Sequence, residues 1–234
     1  MSRHGRVVSR EEWLVERREL LELEKAHKRA SDALAKQRRQ LARVEITADY
    51  TFDGPDGEVT LEDLFGDCDT LVVYHFMFGA DWDNPCKSCS FWADHFDGSR
   101  RHLERRDVRL IAVSIAPRSK IVAAAERAGW TFPWYSSEGS TFNTDFGVTF
   151  EKGADVDATY NYKPAPEANG EMPGMSVFIR GDNNRVFHTY SAFARGLEPM
   201  NSTYGILDLA PRGRDEDDLA WPMEWVKRLA DLAQ

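Results

Sequence analysis

Cysteine is scarce in this chain, with three among 234 residues. An odd and small number excludes the disulfide frameworks that staple small secreted scaffolds. Long hydrophobic runs are missing too. The longest, Leu71 to Phe78, is of strand length and contains His75, whereas a membrane-crossing helix needs about 20 apolar residues. The opening residues, Met1-Ser2-Arg3-His4-Gly5-Arg6, lead into a charged segment and lack the apolar core of a secretory signal. These absences point to a cytoplasmic protein with no membrane partner. Between Ser9 and Arg43 there is neither glycine nor proline, so nothing there punctuates a helix.

Positive charge is in deficit overall, the net being −9, with 42% hydrophobic residues, an ordinary globular share. Residues 1–45 carry 12 Lys and Arg against 8 Asp and Glu, a net of +4, and the remainder carries 18 against 31, a net of −13. Phosphate repels so acidic a body, which excludes general nucleic-acid binding. The basic excess of the first segment is intermixed with glutamate and reads as a solvated helix surface.

That first segment has the pattern of one long helix. Ser9 is placed to cap it, with Glu11, Glu12 and Glu16 near its positive end. Trp13, Leu20, His27, Leu34 and Leu41 recur every seven residues, and Leu23 and Ala30 fall on the same stripe. Such a stripe must be covered, either by the chain's own body or by a second chain. We expect a homodimer through this helix, with a fold-back or break near Ser31-Asp32 as the alternative.

Beyond residue 45 the pattern turns α/β. Tyr50 to Phe52 and Glu58 to Thr60 flank the turn cluster Asp53-Gly54-Pro55-Asp56-Gly57 and predict a hairpin. Thr60 to Gly66 predicts a short capped helical turn. Leu71 to Phe78 and Val108 to Ser114 predict strands buried on both faces. The spacing predicts one helix from Cys86 through Leu103 and another over Lys120 to Ala128, ended by Gly129. Trp130 to Tyr135 reads as extended and residues 151–174 as a long loop. Met175 to Arg180 and Arg185 to Ser191 predict a second hairpin. Trp221 to Ala233 predicts a closing amphipathic helix. Strand-helix alternation followed by a hairpin and a helix predicts a thioredoxin-like fold, a central mixed sheet flanked by helices. The division is a helical extension, 1–45, and a thioredoxin-like domain, 46–234.

The chemistry-bearing group is Asn84-Pro85-Cys86-Lys87-Ser88-Cys89. A thiol at a helix start meets unpaired N–H groups and the positive dipole end, which favour the thiolate. Spacing i, i+3 sets the second sulfur one turn away, within reach of a disulfide. Lys87 is expected to add positive charge beside the first sulfur. Cys86 then attacks and Cys89 resolves. A bare CxxC also fits half of a zinc site, for which His75 and His95 are the further candidates, or two packed residues in a binding protein. Cys68, among acidic neighbours, reads as inert. No cofactor and no metal are expected. Of the aromatics near the pair, Trp82 lies in the loop before Cys86 and is the candidate substrate contact, the rest reading as core.

Several motifs resemble a known family. Phe52-Asp53-Gly54-Pro55-Asp56-Gly57, Leu61-Glu62-Asp63-Leu64-Phe65, Tyr74-His75-Phe76-Met77-Phe78-Gly79, Cys86-Lys87-Ser88-Cys89-Ser90, Gly129-Trp130-Thr131-Phe132-Pro133-Trp134 and Gly213-Arg214-Asp215-Glu216 resemble DUF899. Its members are bacterial thioredoxin-like proteins generally described as dithiol–disulfide oxidoreductases. The resemblance covers nearly the whole chain and implies a thiol or disulfide substrate, protein or small molecule. More distant likeness to thioredoxins puts His75 where they keep a buried aspartate that assists proton transfer to the second cysteine, against the alternative of a core histidine. It also puts Met175 where they place a substrate-facing cis-proline, with Pro173 two residues earlier. In peroxiredoxins the place of Cys86 is a threonine and that of Cys89 the peroxide-reducing cysteine. Their partner arginine has Arg180 and Arg118 as candidates here. A peroxidase using Cys89 is the alternative enzyme reading.

Overall fold

The computed structural model describes residues 5–151 and 158–232. The chain opens with α1 (Arg10–Arg38), on which no residue is buried. Ser9 and Glu12 form a reciprocal capping box, Ser9 Oγ accepting from the Glu12 amide and the Glu12 carboxylate from the Ser9 amide. The helix runs through Ser31-Asp32 without a break. Then follow β1 (Val44–Ile46), β2 (Thr51–Gly54), β3 (Gly57–Thr60), β4 (Thr70–His75), α2 (Lys87–Ala93), α3 (Phe96–Glu104), β5 (Val108–Ser114), α4 (Arg118–Ala128), β6 (Trp134–Ser136) and α5 (Phe142–Asp145). The remainder holds β7 (Thr149–Phe150), β8 (Thr159–Tyr160), β9 (Lys163–Pro164), β10 (Gly170–Glu171), β11 (Gly174–Arg180), β12 (Val186–Phe193), α6 (Ser202–Leu207) and α7 (Leu229–Leu232). No described helix is long and apolar enough to cross a membrane.

Eight strands form one sheet in the order β1-β12-β11-β4-β5-β6-β2-β3. β4, β5 and β6 are parallel, and β11 and β12 join antiparallel to β4. A parallel run met by an antiparallel hairpin beside the strand that precedes the CxxC is the thioredoxin arrangement. The fold is α/β and thioredoxin-like. β1 completes one edge by pairing with β12, Val44 opposite His188, so the last residues of the helical extension are part of the sheet.

The strand period of two divides the core between the faces of β4. Leu71 and Val73 point into one cluster with Ile111, Val113, Phe142 and Phe178. Tyr74, followed by Phe76 and Phe78, belongs to the other, with Cys89, Trp92, Phe96 and Trp134. Phe76 stacks on Trp134 with centroids 4.5 Å apart. The second face therefore seats the CxxC helix.

Three sequence expectations are corrected. The helix from Cys86 to Leu103 is two, parted at Asp94 and His95, where Asp94 accepts from Trp130 Nε1 at 2.9 Å. The strand Leu71 to Phe78 stops at His75, because Met77 turns its backbone to the cysteines. The closing helix from Trp221 is confined to α7, Ala233 lying outside the described residues. Met223 has φ 68, and the carbonyl of Glu224 and the side chain of Arg228 are committed to Lys87 and Pro85. Gly129 ends α4 as expected, in a left-handed conformation at φ 71 that glycine adopts without strain. Of the predicted loop 151–174, residues 152–157 lie outside the description, and the rest holds β8, β9 and β10.

Candidate active site

Cys86 is the N-cap of α2, with φ −55 and ψ 128. Its own amide donates to the Met77 carbonyl at 3.1 Å, and its carbonyl accepts from Ser90 N at 3.0 Å and Ser90 Oγ at 2.9 Å. The sulfur is left half-buried at the helix mouth. Its pKa is lowered from 9.0 to about 6. The largest cause is the hydrogen bond from the Cys89 thiol. Burial opposes it, and the Cys89 and Ser88 amides and the Ser88 side chain reinforce it. This is the expected effect of orphan N–H groups at a helix start.

Cys89, one turn on, is buried at 2% exposure. Residues three apart on a helix face each other at about 5–6 Å, so the pair is within the span of a disulfide. Burial pushes the Cys89 thiol well above its ordinary value, and the neighbouring Cys86 sulfur adds to the rise. Two groups oppose it, the phenol of Tyr74 and the backbone N–H of Met77. Met77 thus brackets the pair, its carbonyl on Cys86 and its N–H towards Cys89. Tyr74 is 1% exposed, packed edge-on to Phe96 at 5.1 Å, and its phenol stays protonated far above 10 through burial and the Cys89 contact. Tyr160 approaches from β8. Its hydroxyl donates to the Pro173 carbonyl at 2.7 Å and accepts from Ala194 N at 3.2 Å, and burial, with a smaller contribution from the nearby Cys89 sulfur, pushes the phenol up to about 12.

With that geometry in place, comparison with known proteins assigns the family. The model described as "Bacterial protein of unknown function (DUF899)" matches residues 2–231. The chain belongs to DUF899. No curated protein matches it. Among solved structures, peroxidoxin BcpB from Mycobacterium tuberculosis is similar at 16% identity and a TM-score of 0.46, over 70% of this chain and 95% of that one. Peroxiredoxin Q from Xanthomonas campestris is similar at 12% and 0.46, over 69% and 90%. AhpC from Enterococcus faecalis is similar at 12% and 0.46, over 66% and 81%.

The fold of this DUF899 chain redistributes the residues singled out from sequence. Cys86, Cys89 and Met175 come together, Met175 lying opposite Tyr74 in the β4–β11 ladder and packing against the same cluster. Trp82 is half-buried rather than a free loop residue. Its ring lies on Gly79, where an added Cβ would meet Trp82 Nε1 at 2.7 Å. Lys87 turns away from the sulfur. Its ammonium donates to the Glu224 carbonyl at 2.7 Å and sits over Trp221 at 4.7 Å, tying down the C-terminal segment. His75 is on the opposite face from the cysteines. Its Nε2 bonds Ser176 Oγ at 2.8 Å, its ring stacks on Phe146, and burial lowers its pKa to about 3. The side chain of β4 that lies beside Cys89 is Tyr74, not His75.

Other candidates move away as well. His95 bonds Ser202 and Thr203, so neither histidine completes a zinc set with the CxxC. Among the described residues no three His, Cys, Asp or Glu are grouped for a metal. Arg180 lies at the far end of β4, donating to the Glu62 and Gly66 carbonyls. Arg118 opens α4 and lines a depression with Pro55 and Trp134. Cys68 is buried, its thiol pushed up by burial and by Asp107. The Gly213-Arg214-Asp215-Glu216 motif lines a cavity of about 670 Å³ behind α2. Arg214 clamps Asp208 and Glu198 and covers the Tyr204 ring at 4.0 Å, and Glu216 accepts from Tyr204 and Trp225. Sequence reasoning missed Ser88, Tyr74 and Tyr160. Strand parity was the available signal for Tyr74, since it shares a face with Phe76 and not with His75.

Proposed function

We propose that this protein is a thiol–disulfide oxidoreductase in which Cys86 attacks and Cys89 resolves. One observation carries the reading. The half-buried sulfur is stabilised as a thiolate by the Cys89 thiol and the first amides of α2, while its neighbour is fully buried and protonated. That asymmetry divides the two roles. The Cys86 thiolate attacks one sulfur of a substrate disulfide, forming a mixed disulfide and expelling the other sulfur as a thiolate. Cys89 then loses its proton, with the Tyr74 phenol and the Met77 N–H hydrogen-bonding to the developing charge. It attacks the Cys86 sulfur, closes the Cys86–Cys89 disulfide and expels the second substrate thiolate. Two electrons pass to the substrate; the Cys89 proton neutralises one departing thiolate, and solvent supplies the proton for the other. An external dithiol reverses the sequence. Cytoplasmic residence, with its reducing glutathione pool, suits this cycle.

The peroxidase alternative asks Cys89 to meet peroxide directly. Its burial and raised pKa argue against that role. An aromatic disulfide with a coloured thiol separates the two. Wild type should release two thiols per chain and finish with an internal disulfide. Cys89→Ser should release one and retain the other half covalently on Cys86. Cys86→Ser should release none promptly. Prompt reaction of Cys86→Ser with the disulfide, or with hydrogen peroxide at the wild-type rate, overturns the assignment.

A further inference from the structure

The helix α1 is unlike every other large element of the molecule. It is 29 residues long, roughly 43 Å at 1.5 Å per residue, and buries none of them. Trp13, Leu20, Leu23 and Leu34 are all exposed, Leu23 at 68%. It meets the body near its end, where Arg38 lies over the Tyr190 ring at 5.4 Å. Among the described residues only Leu14, Arg17 and Ala35 of the helix are even half-buried, so it gains little from tertiary packing, yet its capping box and unbroken length show a sequence built to be helical. Among the described residues, nothing covers the apolar stripe.

Charge indicates what covers it. Residues 10–24 hold three arginines against six glutamates, a net of −3, and residues 25–39 hold six Lys and Arg against one Asp, a net of +5. The local pairs, such as Lys25 with Glu22 and Lys28 with Asp32, are solvent-exposed and easily exchanged. Each half is complementary to the other half of a second copy laid antiparallel. A parallel pair would set acid on acid and base on base. It would also bring together two bodies that each carry −13 beyond residue 45, whereas an antiparallel pair holds them at opposite ends.

We infer that α1 is a dimerisation arm that pairs antiparallel with the α1 of a second copy, joining stripe to stripe and acidic half to basic half. The interface is isologous, the same residues serving both partners. The arm is independent of the thiol chemistry, so failure of either reading leaves the other standing.

Sedimentation equilibrium of the full chain tests it. A dimer is expected at tens of micromolar and low ionic strength. Raising the salt to about 1 M, where charges are screened beyond about 3 Å, should weaken the antiparallel dimer several-fold. The double variant Leu20→Glu, Leu34→Glu should sediment as a monomer with the wild-type near-ultraviolet spectrum, since both positions are exposed in the single chain. A wild-type monomer overturns the inference, as does a dimer untouched by the double variant. A dimer that tightens with salt would retain the arm and overturn its antiparallel direction.

Discussion

Tyr74 and His75 are adjacent on one strand and serve chemically different regions. The face of Tyr74 carries Cys86 and Cys89 in a setting of aromatic rings, with a thiol that ionises easily. The face of His75 carries a chain of polar groups. His75 Nε2 bonds Ser176 Oγ at 2.8 Å, Ser176 bonds Ser191 Oγ at 2.8 Å, and Ser191 bonds His188 Nε2 at 2.8 Å. On the other side His75 Nδ1 is buried without a hydrogen-bond partner, and Thr149 Oγ1 donates to both Glu171 oxygens at 2.9 Å. Three titratable groups lie in this region, and each is kept towards its neutral form by burial. One face is thus arranged to stabilise a charge and the other to suppress charge. Ionisability at a half-open helix mouth suits reaction, and a buried neutral network suits specification of the core.

The largest expected effect breaks the polar face. His75→Ala removes a packed ring and leaves Ser176 short of a partner, at a cost of about 3 kcal/mol by urea unfolding. Alkylation of Cys86 in the folded variant should keep the wild-type pH midpoint, and a clear shift would join the two faces that the structure separates. The same face gives opposing pH slopes. Glu171 is raised from 4.5 to about 7, so the folded chain holds that proton more tightly, and the stability it contributes is full below pH 4.5 and lost as pH rises towards 7. His75 is lowered from 6.5 to about 3, so its contribution is full above 6.5 and lost as pH falls towards 3. Between 4.5 and 6.5 the two offset each other. Glu171→Gln should uncover a stability that rises by about 2–3 kcal/mol across that window. A flat profile in the variant would mean that His75 does not titrate as its burial dictates.

The fold was legible where side-chain period and chemistry agreed. Leu71 to Val73, Val108 to Ser114 and the hairpin around Gly181-Asp182-Asn183-Asn184 declare themselves by apolar runs between turn residues. The placing of the CxxC was legible because a buried strand followed by a short loop puts Cys86 at a helix start and Cys89 one turn on. The site's surroundings were not. Placing His75 beside Cys89 requires the strand to keep its count, and the parity of β4 puts Tyr74 there instead. Tyr160 sits in a stretch whose glycines, prolines and acids spell loop, and its position depends on tertiary bonds to Pro173 and Ala194. The closing helix failed for the same reason. Trp221, Trp225 and Val226 have amphipathic spacing, but the backbone between them is committed to Lys87 and its neighbours.

A smaller effect lies on the thiol face. Tyr74→Phe keeps the ring against Phe96 and removes only the hydroxyl at Cys89. The attack of Cys86 should be unaffected. The resolving step should slow about tenfold, equivalent to about 1.4 kcal/mol, because the departing proton leaves a buried thiolate with one donor fewer. Release of the second coloured thiol reads that step directly. An unchanged second phase would assign the stabilisation of Cys89 to the Met77 N–H alone.

The smallest effect concerns Lys87, the residue beside Cys86 whose charge the sequence placed on the thiolate. In the structure its ammonium is spent on the Glu224 carbonyl and the Trp221 ring, and the groups that lower the Cys86 pKa are Cys89 and Ser88. Lys87→Ala should therefore move the alkylation midpoint of Cys86, expected near pH 6 for the wild type, by no more than a few tenths of a unit, the residue of a screened long-range interaction. Its main consequence should appear elsewhere. Loss of one hydrogen bond and one cation–π contact releases the segment around Trp221, with a stability change of about 1–2 kcal/mol and faster amide exchange between residues 219 and 228. Lys87→Arg should restore the ring contact and part of the protection. An alanine variant whose midpoint rises by a full unit would return Lys87 to the thiolate and make the thiol face a charge-paired site, in closer likeness to the sequence reading than to the helix-mouth geometry.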